Sequence, residues 1–328
     1  MLIMKALVVF HGDCDGVIAA GLYIRRFLMD YYPKNIVLKF TQPWRIVRDL
    51  DNALRSISRS DLDTVVILDL ALNEDLLNYI ERELKNVPIT VIDHHTSSHT
   101  ILERARRNPL IKLFWEHTIS TPAVMTNMIK DLNPYEQFLV NVANVCEGGE
   151  CSNMDVKQAA DRIKLSLALD PTDSQTFYNA VHKIVEGVEL WKLPEIETKY
   201  RRGKWLLNVL VHNIDRRSVE VCGWRIASFT AAESLIYAGL FGIASSEYSK
   251  RMRKPVVLIR SEETKIVVTI RSPQGKALEL CKRIASVIGA SFYGGHREAA
   301  SLTLYSASSI EEVEKVIKEV VKDFSGCS

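Results

Sequence analysis

The sequence has no surplus of charge of either sign. Its 328 residues carry 42 Lys and Arg against 40 Asp and Glu, a formal net charge of +2. Such a balance excludes a protein that coats a polyanion with a strongly basic surface, and it leaves room for a local basic groove. Long apolar runs are missing too: none reaches the roughly 18 residues that a membrane-spanning helix needs. The apolar N-terminal stretch has no small-residue cleavage site and runs straight into a polar loop, so it reads as a buried strand and not as a signal peptide. Cysteine is sparse, six in the whole chain. That excludes a disulfide scaffold and predicts reduced thiols in a cytoplasmic protein. Cys146 and Cys151 are the one local cluster, spaced too widely for a zinc hook and without a matching pair. There is no internal repeat and no low-complexity stretch.

What is present is ordinary globular composition, 47% hydrophobic and 25% charged. The length suggests about two domains of ~150 residues each. The first ~95 residues alternate strand and helix. Apolar runs at Met4–Phe10, Ile36–Phe40, Thr64–Leu68 and Ile89–Ile92 read as strands, and Val17–Met29, Trp44–Ile57 and Glu74–Leu84 read as helices. Strand–helix alternation of this length predicts a parallel sheet with helices on its faces, and continuous apolar strands fit a sheet buried on both sides. Thr121–Leu190 reads as mostly helical, and the segment from Trp191 to Ile214 as a long helix or linker. Beyond Val219 a mixed α+β pattern follows, with strands at Val256–Ile259 and Ile266–Ile270 and helices at Lys276–Val287 and Ile310–Phe324.

Three polar clusters directly follow predicted strands: His11-Gly12-Asp13-Cys14-Asp15-Gly16, then Asp69, then Asp93-His94-His95. A fourth, Asn144-Val145-Cys146-Glu147, follows a helix. In open α/β sheets the ligand site lies at the carboxyl ends of the strands, so three such ends point to one crevice. An aspartate after a strand commonly does no more than cap a helix. Carboxylates and imidazoles brought together are instead ligands for Mn²⁺, Mg²⁺ or Zn²⁺, and several carboxylates suit a pair of ions.

HGDCDG, ILDLALN and IDHHTSS resemble, in order, the first three motifs of the DHH phosphoesterase superfamily. That family includes RecJ-type single-strand exonucleases, oligoribonucleases, cyclic-dinucleotide phosphodiesterases and manganese-dependent pyrophosphatases. Ile270-Arg271-Ser272 and the run from Tyr293 to Ala300 resemble the DHH-associated domain, with its Arg-Ser element and its GGGH-x-x-AA element. The resemblance covers nearly the whole chain. It implies a DHH domain over 1–190, a helical linker over 191–218 and a DHH-associated domain over 219–328.

By the same resemblance His11, Asp13, Asp15, Asp69 and His94 bind two divalent cations, Mn²⁺ first and Mg²⁺ second, with Asp69 bridging them. His95 faces the substrate phosphate or protonates the leaving oxygen, and Asp93 holds a histidine ring from behind. A metal-bound hydroxide attacks phosphorus in a cleft between two lobes. Arg271, Ser272, Gly294, Gly295, His296 and Arg297 grip substrate phosphates, the glycines by letting backbone N–H groups form an anion nest. The family's fourth motif carries a metal-binding aspartate where this chain has Asn144, a neutral ligand; Glu147, Glu150 or Asp155 are candidates to replace it.

The expectation is therefore hydrolysis of single-stranded DNA or RNA, or of short oligonucleotides. The alternatives are a degenerate scaffold subunit partnered with replication or repair proteins, and a phosphatase of nucleoside bisphosphates or cyclic dinucleotides. No membrane partner is expected. Ser120 and Thr121 read as a helix start and His99 as an exposed loop residue. Basic runs near Arg201, Arg216 and Lys250 read as solvated faces, and Trp44, Trp205 and Trp224 as core.

Overall fold

The computed structural model describes residues 4–57, 59–290, 292–305 and 309–327. It divides into two compact units, one of residues 1–167 and 171–200, the other of residues 168–170 and 201–328. Unit 1 contains β1 (Lys5–His11), α1 (Cys14–Phe27), β2 (Ile36–Thr41), α2 (Ile46–Ser56), β3 (Leu62–Leu68), α3 (Glu74–Glu83), β4 (Ile89–Asp93), α4 (Leu102–Arg107) and β5 (Ile111–Trp115). Helices α5 (Thr121–Met125), α6 (Pro134–Cys146), α7 (Met154–Ala168) and α8 (Ser174–Val185) follow, and α9 (Pro194–Arg217) continues into the second unit.

The five strands of unit 1 form one parallel sheet in the order β2-β1-β3-β4-β5. Successive side chains of a strand point to opposite faces, so a strand that is apolar throughout feeds two cores at once. β1 does this: Ala6, Val8 and Phe10 enter a core with α1 and α6–α8, while Leu7 and Val9 enter another with α2 and α3. β3 divides in the same way, with Val66 and Leu68 on the first face and Val65 and Ile67 on the second. Helix starts are set locally. Asn73 caps α3 through Leu76 N–H, and Asn133 with Glu136 closes a capping box on α6, with Pro134 in its first turn.

Unit 2 contains β6 (Val219–Val221), β7 (Trp224–Phe229), α10 (Ala231–Tyr237), α11 (Phe241–Met252), β8 (Val256–Ser261), β9 (Ile266–Arg271), α12 (Ala277–Ile288), β10 (Phe292–Gly295), β11 (Ala299–Leu304) and α13 (Ile310–Ser325). Its strands form a mixed sheet, β10-β11-β9-β8-β7-β6, in which β7 and β8 run parallel and the remaining pairs are antiparallel. α12 and α13 cover one face with Leu280, Ile284, Ile317 and Val321. Beyond the elements read from the sequence, the structure adds β5, β6, β7, β10, β11, α10 and α11. They are short or weakly patterned, and the sheet recruits them by pairing. β10, for example, is four exposed residues, Phe-Tyr-Gly-Gly, paired in register with β11 and lying against α12.

Two sequence expectations are corrected. Four of the six cysteines form disulfides, Cys14–Cys146 and Cys222–Cys327, leaving Cys151 and Cys281 as thiols. Sequence separations of 132 and 105 residues hide both pairs from any local motif, and folding brings their Cα atoms to 6.2 and 6.1 Å. Trp44 and Trp205 are not core; they keep 45% and 63% of their surface in solvent, whereas Trp224 is buried. Among the described residues no helix is long and apolar enough to cross a membrane.

Cys14–Cys146 ties the start of α1 to the end of α6. Cys146→Ser, which removes this disulfide alone, is expected to lower the unfolding free energy by about 2–4 kcal/mol. Urea unfolding of the variant against wild type without reductant measures this, and Cys151→Ser serves as the control that changes nothing.

Candidate metal centre

The candidate site lies at the carboxyl edge of the unit 1 sheet. β1 ends in His11, and Asp13 follows as the N-cap of α1, its Oδ1 accepting Gly16 N–H at 3.0 Å. Gly16 is obligatory there: a Cβ would lie 2.3 Å from the His11 carbonyl oxygen, so only glycine lets the helix start this close to the strand. Asp69 leaves β3 in the left-handed conformation, φ 58°, while its N–H donates to Ile92 O of β4 at 3.0 Å. This conformation costs a non-glycine residue ~1–3 kcal/mol and persists where the surroundings over-determine it, typically at a functional site. Asp15, Asp69 and Asp93 are all essentially buried.

Asp69 is the hub. One oxygen, Oδ2, lies 3.4 Å from His11 Nδ1, which is itself 3.0 Å from Asp13 Oδ2. The other, Oδ1, lies 3.4 Å from His94 Nε2 and 3.9 Å from His95 Nδ1. His94 Nε2 also stands 3.5 Å from Asp15 Oδ2. Two clusters therefore share one carboxylate: His11, Asp13 and Asp69 in one, Asp69, His94 and His95 in the other, the ligand atoms of each within 4.8 Å of one another. Asp15 joins the second through His94. His95 turns elsewhere, its Nδ1 2.6 Å from Asp93 Oδ1, while Asp93 Oδ2 accepts from Ser98 Oγ at 2.6 Å and Ser98 Oγ accepts Leu72 N–H at 2.9 Å.

The electrostatics are those of a site short of positive charge. Burial, and the neighbouring charges of Asp69, Glu147 and Asp13, push the Asp15 carboxyl well above its ordinary range, against one N–H bond from Thr121. Burial also opposes charge on Asp69, but the imidazoles of His11 and His94 beside it outweigh burial and hold this carboxyl far below the usual range. Burial pulls His11, His94 and His95 down, and the carboxylates more than compensate, so all three imidazoles end raised, His95 to about 9. Asp15 Oδ1 and His94 Nε2 are buried atoms with no hydrogen-bond partner. Unsatisfied buried acceptors are rare, and beside a shared carboxylate they fit a hard divalent cation coordinated by oxygen and imidazole nitrogen.

The fourth cluster sits at the end of α6. Asn144 Oδ1 accepts from Ser120 Oγ at 2.6 Å, so its amide oxygen is occupied by the loop before α5. Glu147, solvent-accessible at the C-cap of α6, shares the field of the centre. Crowding by protein, followed by the charges of Asp13 and Asp69, pushes its carboxyl up to about 7. Of the three replacements considered for the missing aspartate, it is the one whose charge is felt by Asp15 and His94.

Sequence reasoning passed over Ser98 and Gln42, and read Thr121 as a helix start with a phosphate contact as the lesser alternative. Thr121 donates its N–H to Asp15 Oδ2 at 2.9 Å and its hydroxyl to Asp69 Oδ1 at 3.0 Å, joining the two carboxylates. Ser98 orients Asp93, and Gln42 Oε1 lies 3.3 Å from His11 Nε2. Ser120 does cap α5 as the helix-start reading had it. The only available signal for the other three was their place just past a strand, motif or cap.

The six phosphate-binding candidates all lie in unit 2. Ala299 of β11 pairs with Arg271 of β9, and Ser272 N–H donates to Glu298 O at 2.9 Å, so the Arg-Ser and Gly-rich elements meet. The Arg271 fork is engaged within the unit by Ser246 Oγ at 2.9 Å, Ile270 O at 2.9 Å and Gly242 O. Burial lowers its pKa to about 10. Ser272 is buried and its Oγ accepts Lys276 N–H. Gly294 and Gly295 form strand β10, and Gly295 (φ 136°) begins a tight turn in which His296 N–H donates to Ala299 O at 2.7 Å. Arg297 packs over Gly275.

The DHHA1 domain family matches residues 229–323. No curated protein matches the sequence. Among solved structures, the DHH domain of a member of the s1p family of ribosomal proteins superposes with a TM-score of 0.69 at 16% identity, covering 97% of this chain and 87% of that one. RecJ in complex with Mn²⁺ from Thermus thermophilus gives 0.65 at 16%, covering 99% of this chain and 52% of that one, so the chain spans about half the length of RecJ. The pGpG-specific phosphodiesterase PggH from Vibrio cholerae gives 0.59 at 15%, covering 99% and 100%. At these identities the likeness is one of fold.

Protein stripped of cations should lose stability as pH rises. His95 has a folded pKa of about 9 against an ordinary 6.5, so its contribution is complete below pH 6.5 and is lost as pH climbs through 9. The expected loss is on the order of 3 kcal/mol, read by urea unfolding in chelator at pH 6, 8 and 10; His95→Gln should flatten the profile. In Mn²⁺ titration calorimetry, Glu147→Gln is expected to weaken one of two binding events about tenfold, and Asp69→Asn to abolish both.

Proposed function

We propose that this member of the DHH superfamily is a divalent-metal-dependent phosphoesterase that hydrolyses phosphodiester bonds of single-stranded nucleic acid or short oligonucleotides. The observation that carries the reading is the Asp69 carboxylate, one oxygen toward His11 and Asp13 and the other toward His94, with Asp15 beyond. His11, Asp13, Asp15, Asp69 and His94 would hold a pair of cations, Mn²⁺ or Mg²⁺, with Glu147 compensating the charge that Asn144 does not bring. Such a pair supplies Lewis-acid stabilisation of the attacking and leaving oxygens of an in-line displacement.

The protein's own groups do the rest. Thr121 locks Asp15 and Asp69 in register, and the left-handed turn at Asp69 aims both carboxylate oxygens. Asp93, fixed by Ser98, holds the His95 ring by Nδ1 and keeps the imidazole charged near neutral pH. The Nε2 proton of His95 is then the one offered to the phosphate or to the departing oxygen. In the DHH-associated domain, 219–328, Arg271, Ser272, Gly294, Gly295, His296 and Arg297 would grip the substrate phosphates; the DHH domain, 1–190, carries the chemistry, with 191–218 as helical linker.

The activities in the names exonuclease RecJ and pGpG-specific phosphodiesterase, borne by proteins whose fold this chain shares, favour nucleic acid over pyrophosphate as substrate. The competing reading, a degenerate scaffold in a replication or repair assembly, rests on Asn144 and on the fold shared with CDC45 from Entamoeba histolytica; the other charged and imidazole groups of the centre weigh against it.

Product analysis with Mn²⁺ on 5′- and 3′-labelled single strands, dinucleotides and pyrophosphate tests this. Release of mononucleotides is expected, with no turnover of pyrophosphate. Asp69→Ala should lower kcat on the order of 10³-fold or more and His95→Ala about 10²–10⁴-fold. No hydrolysis of any oligonucleotide would sink the proposal.

A further inference from the structure

Resting on that reading, we infer that Trp44 is the nucleobase platform of the site, stacking on the base next to the scissile phosphodiester. Single exposed aromatics are common and mean little alone; what distinguishes Trp44 is its mount. It sits in a 3-10 turn, Pro43–Arg45, at the carboxyl end of β2, the strand beside β1. The chain entering that turn is bound to the candidate metal centre: Gly12 N–H donates to Thr41 O at 3.0 Å, and Gln42 Oε1 lies 3.3 Å from His11 Nε2. Trp44 is two residues beyond Gln42, so their Cα atoms are at most roughly 7.6 Å apart.

The turn is also rigid. Pro43 fixes one backbone angle, and Arg45 N–H returns to Gln42 O at 2.8 Å. The buried Asp49 accepts from Thr41 Oγ1 at 2.7 Å and from the Arg45 guanidinium at 3.2 Å, pinning the turn on both sides. The Arg45 guanidinium lies 5.5 Å over the indole, while 45% of the Trp44 side chain remains in solvent. A pinned indole next to a cation, at the edge of a phosphoryl-transfer centre, matches a purine or pyrimidine attached to the reacting phosphate. Base–aromatic stacking tolerates any base, because every base has a π-face. Trp44 therefore selects nucleotides over base-free phosphoryl compounds without selecting a sequence.

The test is steady-state kinetics with Mn²⁺ on a dinucleotide and on the same dinucleotide made abasic at each position in turn. Trp44→Ala should raise KM about 10–100-fold with kcat little changed, while Trp44→Phe stays within about threefold of wild type. Abasic substitution at the stacked position should bring wild type and Trp44→Ala to the same KM. Hydrolysis continuing with an unchanged KM in Trp44→Ala overturns the platform and leaves the phosphoesterase reading standing. If wild type hydrolyses no oligonucleotide, fluorescence decides. Quenching by the dinucleotide in wild type but not in Trp44→Phe keeps the platform while the hydrolytic reading falls; no quenching in either overturns both.

Discussion

Unit 1 is organised around buried negative charge. Asp15, Asp69 and Asp93 lie at the edge of an apolar sheet where isolated carboxylates would be very costly. The fold offsets that cost unequally. Asp69 receives two imidazoles and a hydroxyl; Asp93 receives an imidazole and a hydroxyl; Asp15 receives one backbone N–H and keeps an unpartnered oxygen. The same concentration of carboxylates draws the three histidines toward their protonated forms.

Holding those charges still requires stiff supports, and most of the surrounding structure reads as such. Gly16 lets α1 begin against β1, the left-handed Asp69 turns the chain sharply at the end of β3, and Thr121 bridges two carboxylates from a third segment. Cys14–Cys146 fastens the first turn of α1, with Asp13 as its cap and Asp15 within it, to the helix carrying Asn144, with Glu147 at its cap. Asn144 and the covalent tie two residues later lie on the same helix end. The Glu147 carboxyl at that helix cap is pushed up by crowding and by the charges of Asp13 and Asp69.

Much of the centre was legible in the chain because its residues are local in sequence: HGDCDG, Asp69 and DHH each sit within a few residues of a strand end, and parallel strands align their ends. The same reasoning missed Ser98 and Gln42 as supports and took Thr121 first as a helix start, because each contributes only an ordinary hydrogen bond or two. It also placed Trp44 in the core, since hydrophobicity argues for burial, whereas the pinned turn after β2 leaves it outside.

Composition, apolar periodicity and motif order determined the class of fold, the strand ends on which chemistry can occur, and the residue types available there. Those are properties of short windows, in which side-chain alternation and turn chemistry act directly. The disulfide partners, the sharing of Asp69 between two clusters, the occupation of Asn144 by Ser120 and the closeness of Glu147 to the centre were decided only by tertiary structure. Each depends on segments two dozen to more than a hundred residues apart being brought together, and no local spacing encodes that meeting.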